Sequence, residues 1–331
     1  MLAAPAPKKI SFEPVDGTAF AARAGQLLNE LWPMPSMDYS TAYMEWQLRF
    51  PAPAGSLAVG AFAEGALSGF CGATPRRFRL GGHEEEGFIV SFWCIRPGTG
   101  GPAGAIFLIE RLLGLLRDAG RPFLTFGVNG GRGERLFPQS CLRAGFYEVD
   151  LGVLPAYAAQ TSTKPDTSGW DVEPGDAAAI LPGLTAQLAA EDPGVLRIAA
   201  EPEQTSHYLA DPRRRRLLVA THRESGRQAA AWVIQSVTRT AAGPQLVPTI
   251  DSFLGTRDSA AALPSLMAAA CQQPGAAGLV TINAPNLCFL NSADLRPLGI
   301  RQVGKGFHAR LHLPPSMEHF RGARATSVEV V

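Results

Sequence analysis

Apolar and polar positions along this chain change period several times, and each change marks an element. Residues 10–14 read as a short strand and 18–31 as a helix; a second helix is expected over 39–48, stopping before Pro51. Two apolar runs follow, 56–63 and 66–78, with Glu64 and Gly65 as the turn signal between them, which is a hairpin pattern. Gly81-Gly82 signals another turn, and 88–95 is a strand of aromatic and β-branched residues. Beyond the glycine-rich stretch 98–104, Ile106, Leu108, Ile109, Leu112, Leu113 and Leu116 recur at helical spacing. Residues 123–128 read as a strand and 134–143 as a helix, with Gly145 a good C-cap before another strand. This order of elements predicts the α/β class, a mixed sheet flanked by helices.

The second half repeats landmarks of the first. Ser91-Phe92 follows Pro51 at the same interval at which Ser252-Phe253 follows Pro212, and Asn129 precedes Gly145-Phe146 as Asn283 precedes Gly299-Ile300. Between these blocks the second half is shorter, and the missing residues fall where the first half has PGTGGPAG. A duplication accounts for the pattern. The polar, proline-interrupted stretch TSTKPDTSG has the composition of a linker. The expected organisation is therefore one domain over 10–159, a linker over 160–168, a second domain over 169–314, and a loosely docked tail over 315–331.

Composition narrows the class. The 331 residues are 46% apolar and 18% charged, as in a globular protein. Thirty basic against 29 acidic residues leave a net charge of +1, without the basic excess of a dedicated nucleic-acid binder. Abundant alanine, glycine, proline and arginine fit a GC-rich bacterial coding sequence. The N-terminus does not read as a signal peptide and no apolar run is long enough to span a bilayer, so a cytoplasmic location away from membranes is expected. The five cysteines are scattered without CxxC spacing, which suits reduced thiols rather than a zinc site. His308 and His312 are four apart in FHARLHL, but with no third ligand in sight no metal is expected.

The glycine loop carries the chemistry. Gly98-Thr99-Gly100-Gly101-Pro102-Ala103-Gly104 stands between a strand and a helix, where small residues let backbone amides approach an anion. With its flanks, SFWCIRPGTGGPAGAIFLIERLL followed by LTFGVNGGRGERLFPQSCLRAGF, the segment resembles the GNAT (GCN5-related N-acetyltransferase) superfamily, in tandem-domain form. The resemblance covers most of 10–157. It implies two GNAT-like domains, each a mixed, mostly antiparallel sheet flanked by helices, the second without the anion loop. It also implies acetyl-CoA or another acyl-CoA as co-substrate. Its phosphates would meet Gly100, Gly101, Ala103, Gly104 and Ala105, its pantetheine arm the strand edge at Trp93, Cys94 and Ile95, and its thioester end Asn129. The chain departs from the family pattern at Gly100, where Arg or Gln is usual, at Ala103 and Ala105, where glycines are usual, and at Cys141, where many members carry a tyrosine.

Transfer of an acyl group to an amine needs a base and a proton for the leaving thiolate. Glu86, in an acidic turn before the strand, is the candidate base, and Cys141 the candidate acid. Asp38 and Tyr39, at the start of the second helix, border the expected acceptor pocket. The run Arg213 to Arg216 reads as a solvated strand entry. The expected function is acyl-CoA-dependent N-acylation of a small molecule or sugar. Two alternatives are a decayed binding protein and an aminoacyl-tRNA-dependent transferase, the last of which the charge balance does not favour.

Overall fold

The computed structural model describes residues 10–34, 36–100, 103–128, 131–160, 169–199, 202–272, 279–282 and 295–326. The first half runs β1 (Ile10–Pro14), α1 (Ala21–Leu31), β2 (Ser36–Met37), α2 (Thr41–Leu48), β3 (Leu57–Ala63), β4 (Ala66–Leu80), β5 (His83–Ile95), α3 (Gly104–Ala119), β6 (Phe123–Val128), α4 (Arg132–Arg143) and β7 (Tyr147–Gln160). The second half runs β8 (Trp170–Pro174), α5 (Ala177–Glu191), β9 (Val195–Ile198), α6 (Pro202–Leu209), β10 (Arg216–His222), β11 (Gln228–Thr240), β12 (Gly243–Leu254), α7 (Leu263–Cys271), β13 (Leu279–Ile282) and β14 (Arg301–Leu313), with a short β15 (Ala325–Thr326) after it. The order of elements thus repeats. The linker residues 161–168 lie outside the described residues.

Local chemistry sets the boundaries. The Ser40 hydroxyl accepts from the Tyr43 amide (3.3 Å) and caps α2, while Asp176 accepts from Ala178 and Ala179 and caps α5. Gly120, at φ +63°, ends α3 in a left-handed turn that a side chain would strain. Strand β5 starts five residues earlier than its apolar pattern, so Glu84 to Glu86 lie on a strand and not in a turn. Opposite them on β4 stand Arg77 and Arg79, and Glu84 bonds both of these, at 3.1 Å to Arg77 Nε. Cross-strand pairs of opposite charge extend the ladder beyond the apolar run.

The twelve long strands form one continuous sheet, in the order β1-β3-β4-β5-β6-β14-β7-β13-β12-β11-β10-β8. Only β5–β6 and β12–β13 pair in parallel along this path; the other neighbours are antiparallel. The two halves have exchanged their last strands. β14, from the end of the chain, lies beside β6, and β7, which ends the first half, lies beside β13. The sheets therefore merge edge to edge through the β7–β14 pair, and neither edge there is left open.

Helices α3 and α4 cover one face of the first half, where Leu108, Leu112, Phe137 and Cys141 pack on Phe88 and Val90. On the other face α1 and α2 share a core with the second half that includes Phe92, Tyr208 and Trp232. Trp46 of α2 stacks on His207 (5.0 Å between centroids) and donates to its carbonyl (2.8 Å). The tail is docked more firmly than its composition suggests: Phe320 is fully buried among Phe78, Ile89 and Leu124, and β15 pairs with β9. Residues 327–331 lie outside the described residues. No helix among those described is long and apolar enough to cross a membrane.

His312 of β14 is fully buried, stacked on Phe123 (4.7 Å), with Nε2 3.1 Å from the Thr125 hydroxyl. Burial, helped by Arg310, lowers its pKa to about 3. The unfolded chain takes up that proton near pH 6.5, so this contribution to stability is complete above pH 6.5 and is lost as pH falls from there toward 3. The slope reaches about 1.4 kcal/mol per pH unit. Urea unfolding at pH 7, 6 and 5 should show the loss, and His312→Gln should flatten it; a wild-type curve that is flat over this range would contradict the assignment.

Candidate active site

Pairing between β5 and β6 runs from Phe88–Phe123 to Val90–Thr125 and then stops. A bulge on β5 coincides with the break: Phe92 and Trp93 stand opposite the single residue Cys71, and Phe92 has φ +61°, which is rare for an aromatic residue. Phe92 packs under α1 and α2, whereas Trp93 packs on Phe137 of α4 (6.2 Å). The strands thus splay into a V, and among the described residues, 91–95 of β5 have no partner strand on the β6 side. Strand β12 of the second half carries a bulge too, with Asp251 the extra residue between the pairs Trp232–Ser252 and Val233–Ile250.

At the open end of the V, β5 leads through the glycine loop into α3. A Cβ on Gly104 would lie 1.9 Å from the Thr99 carbonyl oxygen, and one on Gly100 (φ +67°) 2.8 Å from the Gly104 Cα. The loop closes on itself too tightly for side chains at either position. Helix α3 follows on a 3₁₀ residue, Ala103, and has no side-chain cap and no acidic residue in its first turn. No acidic side chain there offsets the positive end of this 16-residue helix, which favours an anion.

A cavity of about 780 Å³ passes through the V. On the α4 side Val90, Trp93, Thr125, Glu134 and Phe137 line it; on the other side it opens between the halves, against Tyr39, Tyr43, Phe92, Arg213, Ser236 and Asp251. Trp32, Val128 and Val303, all well exposed, stand at its rim. The Ser91 hydroxyl and the Trp93 indole N–H line it as buried polar atoms without a hydrogen-bond partner among the described residues. A buried donor left unpaired is costly, and a ligand acceptor would satisfy it.

Each side carries a charged cluster. On the α4 side His308 lies between Glu134 (Nδ1, 2.5 Å) and Asp150 (Nε2, 2.7 Å), and Arg310 reaches Glu134 (3.4 Å) and Glu148 (3.3 Å). These contacts tie β14 to α4 and β7 and hold the exchanged strand in register. On the inter-half side the Asp211 carboxylate, with no exposure, accepts from Arg213 Nη2 (2.7 Å) and Arg215 Nε (3.1 Å), and Arg215 Nη2 reaches Asp251 (2.6 Å). The arginine run is thus divided by the turn that leads into β10: Arg213 and Arg215 turn inward as ion pairs while Arg214, at φ +56°, stays exposed, which corrects the solvated reading. Among the described residues no group of three or more His, Cys, Asp or Glu side chains is arranged to hold a metal ion.

The sequence matches no protein-family model and no curated protein. Solved structures do resemble the fold. A tandem GNAT protein from the clavulanic acid biosynthesis pathway superposes with a TM-score of 0.56 at 15% identity, covering 92% of this chain and 98% of that one. N-myristoyltransferase from Saccharomyces cerevisiae, with bound myristoyl-CoA, gives a TM-score of 0.61 at 12% identity over 98% of this chain and 82% of that one. A probable N-acyltransferase from Enterococcus faecalis gives 0.54 at 13% identity, over 91% and 72%. The chain has a tandem GNAT fold.

Within that GNAT fold the residues singled out in the sequence separate into three groups. Trp93 and Tyr39 line the cavity, and Gly100, Ala103, Gly104 and Ala105 form the loop and the first turn of α3. Gly101 and Asn129 lie outside the described residues. The others are kept from the cavity lining. Glu86 faces Arg121 (3.6 Å), and Cys141 is fully buried under α3 and β5, where burial pushes its thiol pKa up. Cys94 is likewise buried, its thiol pushed up to about 12, and Ile95 packs partly buried beneath α3. Asp38 accepts from Asn29 Nδ2 (3.0 Å) and its amide donates to the Val237 carbonyl, joining the halves. Neither Glu86 nor Cys141 is therefore positioned for proton transfer in the cavity. Sequence reasoning missed Arg213 and Asp251. The available signal was Asp211 two residues before Arg213 and four before Arg215, a spacing at which one turn lets a single carboxylate meet both guanidinium groups.

Proposed function

We propose that the chain is an acyl-CoA-dependent N-acyltransferase, with acetyl as the smallest donor group and a small-molecule amine as acceptor. The observation that carries the reading is the V between β5 and β6, which leads from the uncapped N-terminus of α3 to a cavity shared by both halves. The residues fit the co-substrate: the positive N-terminal end of α3 suits pyrophosphate, the β5 edge beyond its pairing with β6 suits an extended amide-bearing arm, and the cavity lies beyond it. The bound structure of the yeast fold neighbour, with its myristoyl-CoA, supports the same class of donor.

When bound, acyl-CoA supplies the acyl group as a thioester. The chain's own contribution is placement. The first turn of α3 holds the phosphates, Trp93 and the β5 edge hold the arm, and the aromatic walls exclude competing water. The amine nitrogen forms the bond to the acyl carbon as the carbon–sulfur bond breaks. Of the two protons an ammonium group gives up, one ends on the coenzyme A thiol and the other in solvent. On the inter-half side Asp251 is the carboxylate that lines the cavity, in place to hold the ammonium before it is deprotonated.

Calorimetric titration with acetyl-CoA tests the reading. Wild-type protein should bind at micromolar concentrations. Ala105→Glu should weaken binding by about 1–3 kcal/mol through repulsion of the phosphates, while the helix itself tolerates or gains from an acid in its first turn. A folded wild type that gives no heat would favour the alternative, a binding protein that has lost the transfer activity.

A further inference from the structure

The inter-half end of the cavity has a charge arrangement more specific than an amine site requires. Asp211, Arg213, Arg215 and Asp251 form a chain of ion pairs whose formal charges cancel. Two members, Arg213 and Asp251, line the cavity, one of each sign. A ligand of net charge placed against this cluster would leave an uncompensated charge in a site largely closed to water, whereas a zwitterion brings one charge for each.

The guanidinium of Arg213 is also poised for a further contact. Its Nε and Nη2 are occupied by Asp211, and it lies over the Tyr43 ring at 4.4 Å. Its Nη1 points to the thioether of Met37 at 3.6 Å, a weak acceptor that a carboxylate outcompetes. The Arg213 carbonyl accepts from the Gln235 amide (2.7 Å), which seats this residue beside Ser236 of β11, whose side chain also lines the cavity. Around these polar groups the walls are apolar: Tyr39, Phe92 and Ile234 inside, Trp32 at the rim.

Resting on the acyltransferase reading, we propose that the acceptor is an α-amino acid, or a close analogue, with a bulky apolar side chain. Its carboxylate binds Arg213 Nη1, its ammonium lies on the Asp251 side facing the V, and its side chain fills the apolar part of the cavity.

The test uses full-length protein saturated with coenzyme A, which binds without reacting. L-Phenylalanine, phenethylamine and 3-phenylpropionate are titrated by calorimetry; the last two lack the carboxylate and the amine respectively. L-Phenylalanine should bind at least tenfold more tightly than either. Arg213→Lys, which keeps the charge and loses Nη1, should erase the preference over phenethylamine, and Asp251→Asn the preference over 3-phenylpropionate. Phenethylamine binding wild-type protein as tightly as phenylalanine would overturn the proposal without need of any variant. Coenzyme A binding with no response to phenylalanine would overturn it too, leaving the donor side intact. Failure of coenzyme A itself to bind would remove the acyltransferase reading beneath it.

Discussion

A chain ended after Gln160 is expected not to fold, although it contains every element of the first half. Strand β7 would lose both of its neighbours, β14 and β13, and β6 would lose β14. The core around Ile89 and Leu124 would lose Ala309, Leu311, Leu313 and Phe320, all of them buried and all from the far end of the chain. The remaining sheet would expose an apolar edge, which invites aggregation. Circular dichroism and size-exclusion chromatography should show an expanded or aggregated species, and co-expression with residues 161–331 should restore a folded complex. A cooperative melt of the isolated half would show that β6 and β7 pair directly when β14 is absent.

The second large effect belongs to Asp211. Its carboxylate takes hydrogen bonds from the Arg213 amide (2.9 Å), from Arg213 Nε and Nη2, and from Arg215 Nε. Asp211→Ala removes every one of these while leaving two arginines inside. Breaking one side of a buried ion pair costs about 3–5 kcal/mol, a large share of the 5–15 kcal/mol that holds a typical domain together. Urea unfolding should show the loss. A comparison with Asp171→Ala, whose pair with Arg223 is solvent-exposed, should show almost none. Near-equal midpoints for the two variants would mean that water reaches the Asp211 cluster.

The fold was largely legible in the sequence, because helix and strand periods and glycine turns are local signals. The repeated order of elements was legible too, since strand lengths keep the spacing of landmarks such as Ser91 and Ser252. The strand exchange was not. The alternation in FHARLHL fixes which side chains of β14 face α4, but a strand's pattern does not say which strand lies next to it. The same limit explains Glu86, whose place on a strand depends on arginines across the hairpin. It also explains Arg213 and Arg215, whose burial depends on Asp251 far along the chain. The glycine loop was readable because Gly100 and Gly104 are demanded by close backbone approach within a few residues.

The exchange of β7 and β14 also fixes a schedule for synthesis. Strand β6 ends at Val128 and its partner β14 at Leu313, so the neighbour of β6 does not exist until synthesis has passed through the second half. At roughly 5–20 residues per second, that leaves β6 waiting on the order of 10–40 s. During that interval the nascent first half has an unpaired edge in the middle of its future sheet, and only the arrival of β14 closes it.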